Sequence, residues 1–182
     1  MARLNCWLIA LAAMLLGCGP QATQSAASEP APKAASASLG KSHTLTVSGY
    51  NYTNRYIDQF DVNGAGGANM DSGGASGGVC CIVWREGTPL PQTLRIRWVA
   101  GGCLQTVTNS LGESRQMARH FFKEKDVVFN GPVPADPGYL EVHFYPDEHI
   151  EIAITALSSD PRLKLDPARA VDPYAEKCKA EK

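Results

Sequence analysis

The sequence predicts a mainly β protein: a single antiparallel, sandwich-like domain with one short helix and an irregular or helical C-terminal extension. Three patterns carry that expectation. Leu45 and Val47 alternate with Thr44, Thr46 and Ser48. Leu94, Ile96 and Trp98 alternate with Arg95 and Arg97, the period of two expected of a sheet with one buried and one wet face. Between residues 139 and 156, two apolar ladders flank a short polar turn.

Taken in order, residues 43–52 read as a first strand ended by the turn-forming Thr53-Asn54-Arg55, and residues 56–62 as a second. Seven glycines between Gly64 and Gly78 remove packing side chains and raise the entropy lost on ordering, so this run reads as a mobile loop. It holds no lysine and no Gly-Lys-Ser/Thr ending, which argues against a phosphate cradle. Residues 79–85 and 93–99 read as an antiparallel pair joined by a loop containing Gly87, Pro89 and Pro91. Ser110-Leu111-Gly112-Glu113 has capping-box spacing, and Met117 and Phe121 lie four apart beyond it, which predicts the short helix.

The ladders Leu140, Val142, Phe144 and Ile150, Ile152, Ile154 can share one core only if the turn between them has an odd length. A three-residue turn, Pro146-Asp147-Glu148, pairs Tyr145 with His149, Phe144 with Ile150 and Val142 with Ile152. Its last residue must be left-handed, so Glu148 should be strained by roughly 1 kcal/mol relative to glycine. In the tail, Asp160-Pro161, Asp166-Pro167 and Asp172-Pro173 recur every six residues, each an N-cap followed by a proline suited to a first helical turn.

The N-terminus follows a different logic. Arg3, the apolar run 4–16 and Leu15-Leu16-Gly17-Cys18 match a bacterial lipoprotein signal, with an apolar stretch too short to span a bilayer. Four segments follow: residues 1–17 as signal peptide, 18–41 as acylated Cys18 and flexible linker, 42–159 as the β-rich domain and 160–182 as the C-terminal extension. The linker, poor in aromatic and branched apolar residues, would span roughly 25 Å as a coil. Several acyl chains on Cys18 would hold the domain at a membrane far more firmly than a single myristoyl group. A net charge of −1 and a pI of about 6.4 provide no general attraction for nucleic acid, which is not expected as a partner.

Lipidated Cys18 aside, the mature chain would hold Cys80, Cys81, Cys103 and Cys178 in an oxidising compartment, where disulfides are the default. If strands 79–85 and 93–99 pair, Cys103 returns beside Cys80 and Cys81, and one of the two is expected to bridge to it. The other would stay in the core or reach Cys178. No Cys-x-x-Cys or His pair at ligand spacing supports zinc, and Asp58, Asp61 and Asp71 fit no calcium-loop order. His43, His120, His143 and His149 lie in no nucleophile or metalloprotease motif. His143 is expected to face solvent opposite Glu151 as a surface pair. The sequence therefore predicts no catalytic residues, no metal and no cofactor. Tyr50, Tyr52, Arg55 and Tyr56 form the one patch composed like a protein interface, although a core role for one or two of the tyrosines fits equally well. Arg95 and Arg97 could extend it.

Three segments together resemble a proteobacterial lipoprotein family known only as a domain of unknown function. They are Gly49-Tyr50-Asn51-Tyr52-Thr53-Asn54-Arg55-Tyr56-Ile57, the glycine-rich run into Val79-Cys80-Cys81, and Gly138 through Asp147 with its Val142-His143-Phe144-Tyr145-Pro146-Asp147 core. The resemblance covers residues 45–155. It implies glycine after the Pro-Asp turn, from which Glu148 departs. It also implies kinship with proteins encoded beside type VI secretion lipase effectors and suggested as their periplasmic immunity partners. By the same resemblance, Gly19 in place of an aspartate favours the outer membrane. The expected function is a protein-binding lipoprotein facing the periplasm, with a secreted lipase as partner. The alternative is a structural or accessory envelope lipoprotein, and a hydrolase with no visible site ranks last.

Overall fold

The computed structural model describes residues 40–165, 170–172, 174 and 176–179. The expected signal peptide, Cys18, linker residues 18–39 and Asp166-Pro167 lie outside the described residues. In chain order the strands are β1 (Ser42–Asn51), β2 (Phe60–Val62), β3 (Ala65–Gly67), β4 (Val79–Arg85), β5 (Gln92–Thr108), β6 (Ser114–Phe129), β7 (Tyr139–Phe144) and β8 (Ile150–Thr155). They build two four-stranded sheets, ordered β4-β1-β7-β8 and β3-β2-β5-β6. All pairs are antiparallel except β1 with β7. The inward residues of the predicted alternations, Leu45 and Val47, Leu94, Ile96 and Trp98, Leu140, Val142 and Phe144, pack into one core joined by Phe60 and Phe129. This is a β-sandwich.

The β7–β8 hairpin has the register that parity demands. Phe144 opposes Ile150, Val142 opposes Ile152, and Tyr145 N donates to His149 O at 2.9 Å. Glu148 sits at φ 63°, in the region that glycine enters without a Cβ clash. Its carboxylate also pairs with Lys123, so part of the backbone strain is offset by an exposed ion pair of small value. Glu148→Gly is expected to raise the thermal midpoint by about 2–4 °C, the shift that relief of roughly 1 kcal/mol gives in a chain of this size. A lower midpoint in calorimetry would show that the ion pair outweighs the strain.

Other expectations are corrected. β4 and β5 do not pair: β4 lies beside β1, and the segment after Arg85 carries the chain across to the second sheet. Neither Cys80 nor Cys81 therefore reaches Cys103. Cys103 is bonded to Cys178, and Cys80 to its neighbour Cys81. The tail makes this possible by running along β5, with Leu104 N on Glu176 O at 2.9 Å and Cys178 N on Leu104 O at 2.8 Å. Among its described residues the tail forms turns and bridges, and no helix.

The predicted helix after Ser110 is the strand β6, paired with β5 from Gln92 opposite Phe129 to Thr108 opposite Ser114. Spacing by four places Met117 and Phe121 on one side of a strand as well as of a helix, so that signal was degenerate. The polar residues that resembled a cap form the hairpin turn instead. Asn109 Oδ1 accepts the amides of Leu111 and Glu113, both at 3.0 Å, and Gly112 takes φ 81°.

The second strand shrinks to Phe60–Val62 because Ile57 exchanges backbone hydrogen bonds with Met70, at 2.8 and 3.0 Å. The glycine-rich run that supplies Met70 is ordered along the sheet, with Gly73 N on Asn51 O and Ser76 N on Gly49 O, both 2.8 Å. Its glycines allow close approach: a Cβ on Gly49 would lie 2.7 Å from Phe60 Cε1, and one on Gly67 would strike the same ring.

Candidate functional site

The outer face of the β4-β1-β7-β8 sheet holds a buried polar cluster. Alternation sends Tyr50 and Tyr52 from the β1 end, and Glu141 and His143 from β7, to the side opposite Val142 and Phe144. All four are at most 1 % exposed. The end of β8 and the chain that follows it, crossing over them, supply their partners. Glu141 Oε1 accepts Ser159 N at 2.7 Å and Thr155 Oγ1 at 3.1 Å, while Tyr50 OH donates to Ser159 O at 2.6 Å. Tyr52 OH accepts Arg162 N at 2.9 Å and lies 3.0 Å from His143 Nδ1. His143 Nε2 faces Glu141 Oε2 at 3.4 Å, and the imidazole stacks on the Tyr50 ring with centroids 4.6 Å apart.

Burial opposes ionisation of Glu141, but the His143 ring 3.4 Å away and the hydrogen bonds from Ser159 and Thr155 outweigh it and hold the carboxyl at about 2. His143 does oppose Glu151 in register, yet it does not face solvent as expected. The covering segment seals it, while Glu151, nearer the rim, pairs with Arg162. This cluster fastens the chain after β8 to the sheet.

An open cleft of about 430 Å³ lies at one end of the sandwich, between the chain following β1 and the β7–β8 turn. Asn51, fully buried, shapes its first rim. Asn51 Nδ2 donates to Arg55 O at 2.6 Å, and Oδ1 accepts Thr53 N and Thr53 Oγ1 at 3.0 and 2.7 Å. These bonds hold 53–55 in a tight turn that leaves Arg55 exposed and Tyr56 half-buried over the cleft. The second rim is the strained hairpin turn, where the Tyr145 and His149 rings stack at 5.4 Å. Trp98 forms the floor, tilted against Phe144 at 5.8 Å. Lys123 enters from β6, paired with Glu148, and Lys125 Nζ donates to Glu148 O at 2.9 Å. The lining thus presents aromatic faces beside cations, a composition suited to recognising a protein surface.

The structure divides the sequence-predicted patch. Arg55 and Tyr56 line the cleft; Tyr50 and Tyr52 take the core role, because the chain after β8 covers the sheet face on which they stand. Trp98, Lys123, Tyr145 and His149 join the site from distant segments. The Tyr145–His149 pairing was the only part of this grouping signalled by the sequence. Arg95 and Arg97 do not extend the patch. Arg95 pairs with Asp126 at 3.3 Å, and Arg97 lies between Asp61 and Glu124 with its guanidinium 3.7 Å from the Phe122 ring centre. Asp58 pairs with His120 at 3.3 Å, whereas Asp61 accepts Gly64 N at 3.1 Å.

A family model described as a protein of unknown function (DUF3304) matches residues 50–152, a span that includes both the cleft and the Glu141–His143 cluster. No curated protein and no solved structure matches the chain.

Proposed function

We propose that this chain, which belongs to the DUF3304 family, is a lipid-anchored binding protein of the bacterial envelope that faces the periplasm from the outer membrane and neutralises a secreted lipase effector by occupying its surface. The end cleft carries the binding half of this reading: Arg55, Tyr56, Tyr145 and His149 stand around a Trp98 floor on a rigid sandwich end. Rigid aromatic and arginine groups are the side chains that dominate protein-interface energetics. The anchoring half rests on Leu15-Leu16-Gly17-Cys18, and the partner class rests on the resemblance to proteins encoded beside type VI secretion lipases. An anchored blocker would sit at the membrane that such a toxin attacks.

The test is co-expression with a cognate lipase in the periplasm, reading survival and co-purification. Protection with complex formation is expected, and Arg55→Glu, on an exposed side chain, should weaken the complex at least 10-fold. Neither protection nor complex would remove the reading, and an unchanged Arg55→Glu complex would move the contact away from the cleft. Cys18→Ser should shift the protein from the membrane to the soluble fraction, and mass spectrometry of the wild type should find the acylated thiol.

A further inference from the structure

We propose that the bond between Cys80 and Cys81 is a two-electron exchange site, opened by a protein dithiol that leaves as a disulfide and resistant to monothiols. Cys80 and Cys81 are neighbours in sequence, whereas Cys103 and Cys178 are 75 residues apart. Stabilisation by a cross-link grows with the length of chain it closes, so a bond between neighbours adds almost nothing to the fold. The structural role falls to Cys103–Cys178, and Cys80–Cys81 can open and close without unfolding the sandwich.

Its position makes the bond reachable. Among the described residues β4 pairs only with β1 and ends its sheet. Thr46 opposes Cys80 and Leu45 opposes Ile82, so Cys81 is the extra residue of a bulge and has no partner across the ladder. Adjacent side chains of a regular strand point to opposite faces, and the bulge brings these two to one side. Cys80 is exposed and Cys81 half-buried, while Cys103 is only 7 % exposed. Gly77 and Gly78, just before the strand, are exposed and carry no side chain to shield the sulfurs. A Cβ on Gly78 would lie 2.5 Å from Thr46 Cγ2, so the close approach of this segment to β1 keeps larger residues out.

Adjacency also selects the reductant. A thiolate that attacks Cys80 Sγ forms a mixed disulfide and releases Cys81 as a thiolate, which takes up a proton. With a monothiol such as glutathione, Cys81 stays beside the new bond at high effective concentration, attacks Cys80 Sγ and expels the monothiol again. A dithiol brings its own second thiolate, which attacks the reductant sulfur of the mixed disulfide and expels Cys80. Both cysteines end as thiols, two electrons have passed to the chain, and the reductant ends as a disulfide. No residue of β4 lines the end cleft, so this proposal and the preceding reading can fail separately.

The experiment treats the full chain in detergent micelles with glutathione, dithiothreitol or a reduced thioredoxin-type protein at equal thiol concentration, blocks free thiols with iodoacetamide and maps them by mass spectrometry. Both dithiols should open Cys80–Cys81 about 10-fold faster or more than Cys103–Cys178, with the thermal midpoint near that of the untreated chain. Glutathione should leave the bond closed and no adduct on the wild type. Cys81→Ser, which lacks the returning thiol, should instead retain glutathione on Cys80 when given glutathione disulfide. Opening by glutathione as fast as by the dithiols, a lasting adduct on wild-type Cys80, or no opening by the thioredoxin-type protein would each overturn the proposal. So would Cys103–Cys178 opening first, or a midpoint that falls when Cys80–Cys81 alone is opened.

Discussion

Replacing Glu141 with alanine is expected to destabilise the fold by about 3–5 kcal/mol, the penalty typical of removing one partner from a buried, hydrogen-bonded charged site. The substitution strips Ser159 N and Thr155 Oγ1 of their acceptor and leaves His143 Nε2 without the carboxylate 3.4 Å away, all beneath a segment that keeps water out. A loss of this size lowers the thermal midpoint by on the order of 10 °C. The sign of the pH effect follows from the direction of the shift. The Glu141 carboxyl is held near 2, below its ordinary 4.5, so its contribution is present above pH 4.5 and is lost as the pH falls through about 2. Over that window the wild type should lose roughly 3 kcal/mol from this group alone. Glu141→Gln keeps the shape and should flatten that part of the profile. A variant with the acid sensitivity of wild type would show that Glu141 is not the group being titrated.

Removing the Cys103–Cys178 bond, as Cys103→Ser with Cys178→Ser, is the second large effect. The two cysteines are 75 residues apart, and a cross-link of that span restricts the unfolded chain by about 4 kcal/mol. The same bond holds the tail against β5, where Tyr174 packs over Gly102 so closely that a Cβ there would strike the ring. The double serine variant should melt on the order of 10 °C lower and expose the tail to proteolysis before the sandwich. Because reduction would also open Cys80–Cys81, the variant isolates the contribution that dithiothreitol mixes. An unchanged midpoint together with a protected tail would mean that the ladder to Leu104 suffices without the bond.

Local pattern was most legible where a strand has one dry face and a short partner. The β7–β8 register, including the left-handed Glu148, followed from parity because a slip of one residue would turn every isoleucine outward. Of β5, residues 93–99 were legible from the alternation of Leu94, Ile96 and Trp98 with Arg95 and Arg97. Around β6, spacing by four fits a helix and a strand alike, and hydrogen bonding to β5 decided between them. The candidate site was half legible: aromatic and arginine content marked Arg55 and Tyr56, but it could not separate them from Tyr50 and Tyr52, whose burial depends on a segment 108 or more residues later in the chain.

By itself, the sequence determined the sandwich class, the inward faces of its main strands and the turn of its last hairpin, since these depend on the period of a strand and the polarity of near neighbours. Tertiary structure alone decided that β4 and β5 part into different sheets, that Cys103 meets Cys178, and that Glu141 and His143 are sealed from water. Each of those outcomes needs chain segments far apart in sequence to meet, and periodicity within one segment carries no information about which distant segment will cover it.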